Sequence, residues 1–139
     1  LSRELPGVVV DDRRAQLVGQ WQSGSTKKPF IDAGYQHDGN AGKGEKSARF
    51  EALLDSGRAE VRFYYTAMSN RATNVPVRVH HAGGIAEITV NQRQSPPIDD
   101  GAVSLGTFNF DGPAAVEVLT TGTDGFVILD AVQWLPVAP

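Results

Sequence analysis

Most side chains that could do chemistry in this sequence fall in two polar stretches. The first is Tyr35 to Phe50, YQHDGNAGKGEKSARF, which sets His37, Asp38, Asn40, Lys43, Glu45 and Lys46 among three glycines. The second is Ala67 to Val77, AMSNRATNVPV, with Ser69, Asn70, Arg71, Thr73 and Asn74. A phosphate cradle of the form G-x-x-x-x-G-K-[ST] would need Gly at 37 and Ser or Thr at 44. His37 and Gly44 stand there, and no helix-forming segment follows to aim its N-terminus at phosphate.

Calcium is a better match to the residue types. Asp38, Asn40 and Glu45 are hard oxygen donors on a glycine-rich loop. Gly42 takes the next donor position, however, and Lys43 adds repulsion. Asp11-Asp12, Asp99-Asp100 and Asp124 with Asp130 are further acidic candidates. A structural calcium ion is therefore compatible with the chain, and no other cofactor is expected. The three histidines, His37, His80 and His81, lack H-x-x-x-H spacing and have no cysteine to help them hold zinc. No G-x-S-x-G elbow exists for a serine hydrolase. Carboxylates such as Asp38 and Glu60 have no special setting as a glycosidic pair.

Asn amides and a planar guanidinium read sugar hydroxyls or carboxylates in fixed geometry. That makes Asn70, Arg71 and Asn74 candidate ligand contacts, with Tyr64 and Tyr35 as candidate ring faces. The same groups also bond their own backbone in long loops. His37, Asp38, Asn40, Lys43 and His80 complete the candidate set.

Strands must position these residues. KSARFEA and RAEVRFYYTA alternate; Val61, Phe63 and Tyr65 face one way, Arg62, Tyr64 and Thr66 the other. VPVRVHHAGGIAEITV reads as a hairpin turning at Gly83-Gly84, with His80 outward beside Arg78 and His81 inward with the valines. Pro76 marks an edge strand or a strand start. ARFEALLDSG holds a candidate helical turn at Glu51–Asp55. About ten strands separated by turn residues predict an all-β fold: one jelly-roll-type β-sandwich of two antiparallel sheets. One domain is expected over 1–139, with its core from about 7 to 135.

The chain has 139 residues and a formal charge of −3, which argues against a general nucleic-acid binder. It has no cysteine, so disulfides and thiolate chemistry are excluded. No run approaches the ~20 apolar residues of a membrane span. Opening on Leu1 and closing on LPVAP, it reads as a processed chain or a piece of something larger.

These stretches together carry a resemblance. VVVDD with GQW, YQHDGNAGKGEKSARF, FYYTAMSNRATNVPVRVHHAGG, TVNQ with VSLGTFNF, and GTDGFVILDAVQW resemble the golvesin/xanthan-lyase C-terminal-type domain, in one order from about Gly7 to Leu135. The resemblance implies a sandwich like those of carbohydrate-binding modules, appended to secreted or cell-surface bacterial proteins. It implies a polysaccharide and a neighbouring domain as partners, and no catalysis of its own. The matching motif positions are His37, Asp38, Asn40, Lys43, Ser69, Asn70, Arg71, Asn74, His80 and His81. The run NQRQSPPIDDGA departs from the family pattern. The two polar loops are expected to meet at one rim, with Asp38 pairing with Arg71 or Lys43. Alternatives are a structural or adhesion domain making protein contacts and, behind it, a polysaccharide-degrading enzyme.

Overall fold

Wherever apolar and polar residues alternate, strands form. The computed structural model describes residues 7–24, 34–98 and 101–137. Its strands are β1 (Val8–Asp11), β2 (Gln16–Val18), β3 (Gln22–Gly24), β4 (Tyr35–His37), β5 (Ser47–Leu53), β6 (Gly57–Tyr64), β7 (Val75–His81), β8 (Gly84–Val90), β9 (Ala102–Phe110), β10 (Pro113–Leu119), β11 (Ile128–Leu129) and β12 (Ala131–Pro136). A 3₁₀ turn, Asp12–Arg14, follows β1. A four-stranded sheet runs β1-β12-β6-β9 and a five-stranded sheet β2-β5-β10-β7-β8. A small third sheet, β11-β4-β3, adds to the expected two. All strand ladders are antiparallel.

The core lies between the two large sheets. In β7, Val75, Val77 and Val79 are buried while Arg78 is exposed, as period two requires. Phe50 of β5, Val61 and Phe63 of β6, Val116 and Val118 of β10 and Trp134 of β12 join them. Pro76 lies near the start of β7, before the pairing of Val77 with Val118 begins, so its missing N–H costs no bond to β10.

Three local expectations change. Glu51–Leu53 continues β5 rather than turning helically, because Phe50, Glu51 and Ala52 pair with Val116, Ala115 and Ala114. The β7–β8 turn is Ala82-Gly83; of the two glycines only Gly84 has positive φ, at 131°. Tyr35–His37, read as loop, forms β4 against both β3 and β11. Asp99-Asp100 lies outside the described residues. Among the described residues no helix is long and apolar enough to cross a membrane.

Candidate functional site

The ends of β4, β6, β8 and β10 feed four connections: 38–46, 65–74, 91–98 and 120–127. Hydrogen bonds tie all four into one rim. In the first, Gly39, Asn40, Gly42 and Gly44 all take positive φ, and Asn40 is the one non-glycine to do so among the described residues. Asn tolerates that region because its short side chain adds little crowding. The tight winding turns Asp38 inward, fully buried.

Asp38 is saturated there. Its Oδ1 accepts the N–H of Val127 at 3.0 Å and of Asn40 at 2.9 Å. Its Oδ2 accepts Lys43 Nζ at 2.6 Å. Of the two expected partners, Lys43 is the one bonded. Lys43 also donates to Gly125 O at 2.6 Å, and Lys46 to Asp38 O at 2.6 Å. A carboxylate filled in this way has no oxygen left over for a calcium ion. His37 accepts the Gly39 N–H at Nδ1, 3.1 Å away, and meets Phe126 edge-on. Burial, then the cation of Arg71, pulls its pKa below the usual histidine value; Asp38 opposes and Lys46 adds to the fall.

Arg71 is 5% exposed. It donates from Nε to Thr66 O at 3.0 Å, from Nη2 to Thr66 Oγ1 at 3.1 Å and from Nη1 to Asn70 Oδ1 at 3.0 Å. Its guanidinium lies over the Tyr35 ring, 5.8 Å from the centroid. Both groups are spent inside the protein, so Arg71 offers no fork to a solute and Tyr35 no open face. Asn74 clips the 120–127 loop, donating to Gly122 O at 2.9 Å and accepting from Asp124 N at 3.1 Å. Asp124 accepts the Thr73 N–H at 2.7 Å and the Thr73 hydroxyl, and these bonds hold its carboxyl below the usual range.

Segment 120–127 is thus the keystone that the two polar motifs share. Arg71 and Phe126 form a parallel bridge, with Ala72 N donating to Phe126 O at 2.8 Å and Phe126 N to Asn70 O at 3.0 Å. Gly125 is obligatory beside it: a Cβ there would lie 2.6 Å from the Arg71 carbonyl carbon. Buried Gln92 behaves like a further strand residue, exchanging two bonds of 2.8 Å with Ile128. Arg93 donates from Nε to Arg71 O at 2.6 Å while its side chain stays exposed. Gln92, Arg93 and Asp124 were missed as rim residues; the signal was a polar run flanking each strand end.

Two candidates leave the site. Tyr64 is 1% exposed, packs with Ala102 and Ala131 and donates its hydroxyl to Gln133 Oε1 at 3.0 Å. It faces away from the main core as alternation requires, but Val9, Ile98, Ala102 and Ala131 cover that face. His80 is five residues along β7 from the rim end at Val75, about 17 Å away at strand rise. It contacts Glu117 on the outer face of the five-stranded sheet, beside Arg49. His81 stacks on Phe108 with centroids 4.7 Å apart. Asn40, Ser69 and Asn70 stay exposed at the rim edge.

A second concentration of charge lies where β1 meets β12. Asp11 ends β1, Asp12 opens the 3₁₀ turn, and Asp130 sits between β11 and β12. They are 4%, 3% and 2% exposed, and each offers a carboxylate oxygen within 4.8 Å of the others. Asp12 N donates to Asp130 O at 2.7 Å, which draws the two chain segments together. Asp11 Oδ2 accepts Arg13 Nε at 2.8 Å, but Asp11 Oδ1 is sealed from solvent with no donor. Burial, then the charge of Asp11, pushes Asp12 up to about 7. A cavity of about 190 Å³ adjoins, lined by Asp12, Ser23, Tyr35 and Gln36 among others.

The model of the golvesin C-terminal domain matches residues 8–135. This chain belongs to that family. It is 37% identical to xanthan lyase of Bacillus sp. (strain GL1), over 96% of this chain and 15% of the lyase. The structure of a Paenibacillus xanthan lyase superposes with a TM-score of 0.87 and 38% identity, over 94% of this chain and 13% of that one. A GH26-CBM35 β-(1,4)-mannanase of Podospora anserina shares the fold at a TM-score of 0.68 and 16% identity, over 95% of this chain and 28% of the enzyme. The chain therefore spans only a small part of each of these relatives. In the golvesin domain, both long polar motifs lie on the rim and the acidic trio lies outside them.

Proposed function

We propose that this golvesin domain is a non-catalytic carbohydrate-binding module of a larger extracellular or cell-surface protein, and that it meets an acidic polysaccharide at the rim. One observation carries the reading. Arg93 stays exposed while bonds to Arg71 O and Asp124 O hold its guanidinium in place, with Asn40 and Asn70 also exposed on the rim. Cations and amides held in place suit carboxylates and hydroxyls without the ordering cost of free side chains. The name of the similar lyase gives xanthan as the polymer that enzyme acts on, and the present chain matches only 15% of it. The rim acids Asp38 and Asp124 are occupied by amide, hydroxyl and ammonium donors, which suits a scaffold better than a general acid.

Tyr35, Tyr64 and Tyr65 are all buried, so recognition rests on polar contacts and is weak and salt-sensitive. Affinity electrophoresis through neutral and uronate-rich polysaccharides tests this. The expected result is retardation by the uronate gel, lost in Arg93→Ala with an unchanged unfolding midpoint. Arg71→Ala is the poorer probe, because it removes a buried scaffold residue. Mobility unchanged in every gel would overturn the reading.

A second reading has its own observation. A groove of about 430 Å³ at the opposite end is lined by Val8, Leu53, Leu54, Trp134, Pro136 and Val137, and Leu53 is 81% exposed. An apolar groove of this kind suits packing against a neighbouring domain. Leu53→Asp, made in the full-length parent, would then loosen the domain to limited proteolysis while leaving polysaccharide retardation intact.

A further inference from the structure

We propose that the outer face of the five-stranded sheet carries a glycan site of its own, a trough over Ala115 that takes a neutral polysaccharide. The site is separate from the rim and does not depend on what the rim binds. Alternation builds it. Ala114, Val116 and Val118 of β10 point into the core, so Pro113, Ala115 and Glu117 point out. Ala115 pairs with Glu51 of β5 on one side and with His80 of β7 on the other. A methyl between two long side chains leaves a low floor, with walls about 10 Å apart at strand spacing. The cavity is about 590 Å³, lined by Arg49, Glu51, His80, Pro113 and Ala115 among others. That lies within the roughly 300–1,000 Å³ of small-ligand sites.

The walls are polar, and their partners hold them in place. Arg49 Nε donates to Glu51 Oε2 at 2.7 Å, and Arg49 Nη1 lies 3.5 Å from Glu117 Oε1. Glu117 also holds Nε2 of His80, which fixes the ring. Gln16 Nε2 donates to Glu51 Oε1 at 2.7 Å. The bond from Arg49 draws Glu51 below the usual carboxylate range; desolvation opposes, and the Arg49 charge and Gln16 add to the fall. Glu51 is therefore ionised at neutral pH and can only accept. Each of its oxygens has a second lone pair for a hydroxyl, and Arg49 keeps N–H groups beyond its two contacts. Fixed donors and acceptors above an apolar floor match a sugar, whose hydroxyls both give and accept around an aliphatic C–H face. Net charge in the ligand is disfavoured either way. A carboxylate would meet Glu51 and Glu117, and a cation would meet Arg49.

The test is affinity electrophoresis of the domain through gels of hydroxyethylcellulose, galactomannan and dextran. At least one of these neutral polymers should retard the wild type. Glu51→Gln keeps the shape, removes the charged acceptor and should weaken that retardation about tenfold. Ala115→Leu fills the floor and should abolish it. Arg93→Ala should leave it unchanged, whatever happens in the uronate gel. Unfolding midpoints check that the variants fold; if Ala115→Leu does not, Glu51→Gln decides. The proposal is overturned if none of the three gels retards the wild type, or if Glu51→Gln or a folded Ala115→Leu is retarded as strongly as the wild type. It is equally overturned if Arg93→Ala loses retardation by the neutral gel, because the sugar then sits at the rim.

Discussion

Asp38 and the Asp11-Asp12-Asp130 trio are both buried acid, placed at either side of the short sheet β11-β4-β3. They have opposite accounts of their charge. Asp38 receives two backbone amides and an ammonium, all from the protein. The trio gathers three buried carboxylates close together, with the Arg13 guanidinium bonded to Asp11. The lesson is that the residues most suggestive in sequence, H-D-G-N-x-G-K-G, are consumed in holding the rim. The plainer Asp-Asp and Leu-Asp-Ala pieces bring three buried carboxylates together, where burial and a like charge raise Asp12.

The comparison breaks first at Asp38. Asp38→Ala strips Val127 N–H and Lys43 of their acceptor and should cost about 3 kcal/mol, read from urea unfolding. Gly125→Ala comes next: a methyl driven against the Arg71 carbonyl should cost about 2 kcal/mol, whereas a rim with slack would absorb it. Arg71→Lys should lose nearly as much as Arg71→Ala, because an ammonium cannot reach Thr66 O, Thr66 Oγ1 and Asn70 together.

The trio is sharpened by pH. Asp12, raised to about 7 from its ordinary 3.8, binds its proton more tightly in the folded state. Its contribution to stability is complete below about pH 4 and is lost as pH climbs through about 7. Asp11 and Asp130 face it as like charges, and Arg13 is the adjacent cation. The domain should therefore lose about 1–2 kcal/mol over that range, the full shift being cut by water in the adjoining cavity. Asp12→Asn should flatten the slope; a slope unchanged in that variant would assign the titration to another group. The smallest effect on stability belongs to Arg93→Ala, within about 0.5 kcal/mol, although it should abolish retardation by the uronate gel.

Much of the architecture was legible because strands write their burial in period two. Val75, Val77 and Val79, or Val61 and Phe63, declare one inward face without reference to any other segment. Tyr64 shows the limit: alternation puts it on the far side of β6, but whether that side meets water depends on Val9, Ile98 and Ala102 covering it. His37–Asp38–Asn40–Lys43 announced a tight polar loop from composition alone, and Asp38 with Lys43 was within reach of local reasoning at five residues' separation.

By itself the sequence determined the all-β class, the inward residues of the long strands and the family, since each rests on neighbours in the chain. Tertiary structure alone decided that Arg71 is a buried strut, that Arg93 stands at the edge, and that Asp130 joins Asp11 and Asp12 across more than a hundred residues. The reason is physical: an ionised side chain is judged by the charges and donors within a few ångströms of it, and in an antiparallel sandwich those come from segments whose spacing in the sequence carries no trace of their distance in space.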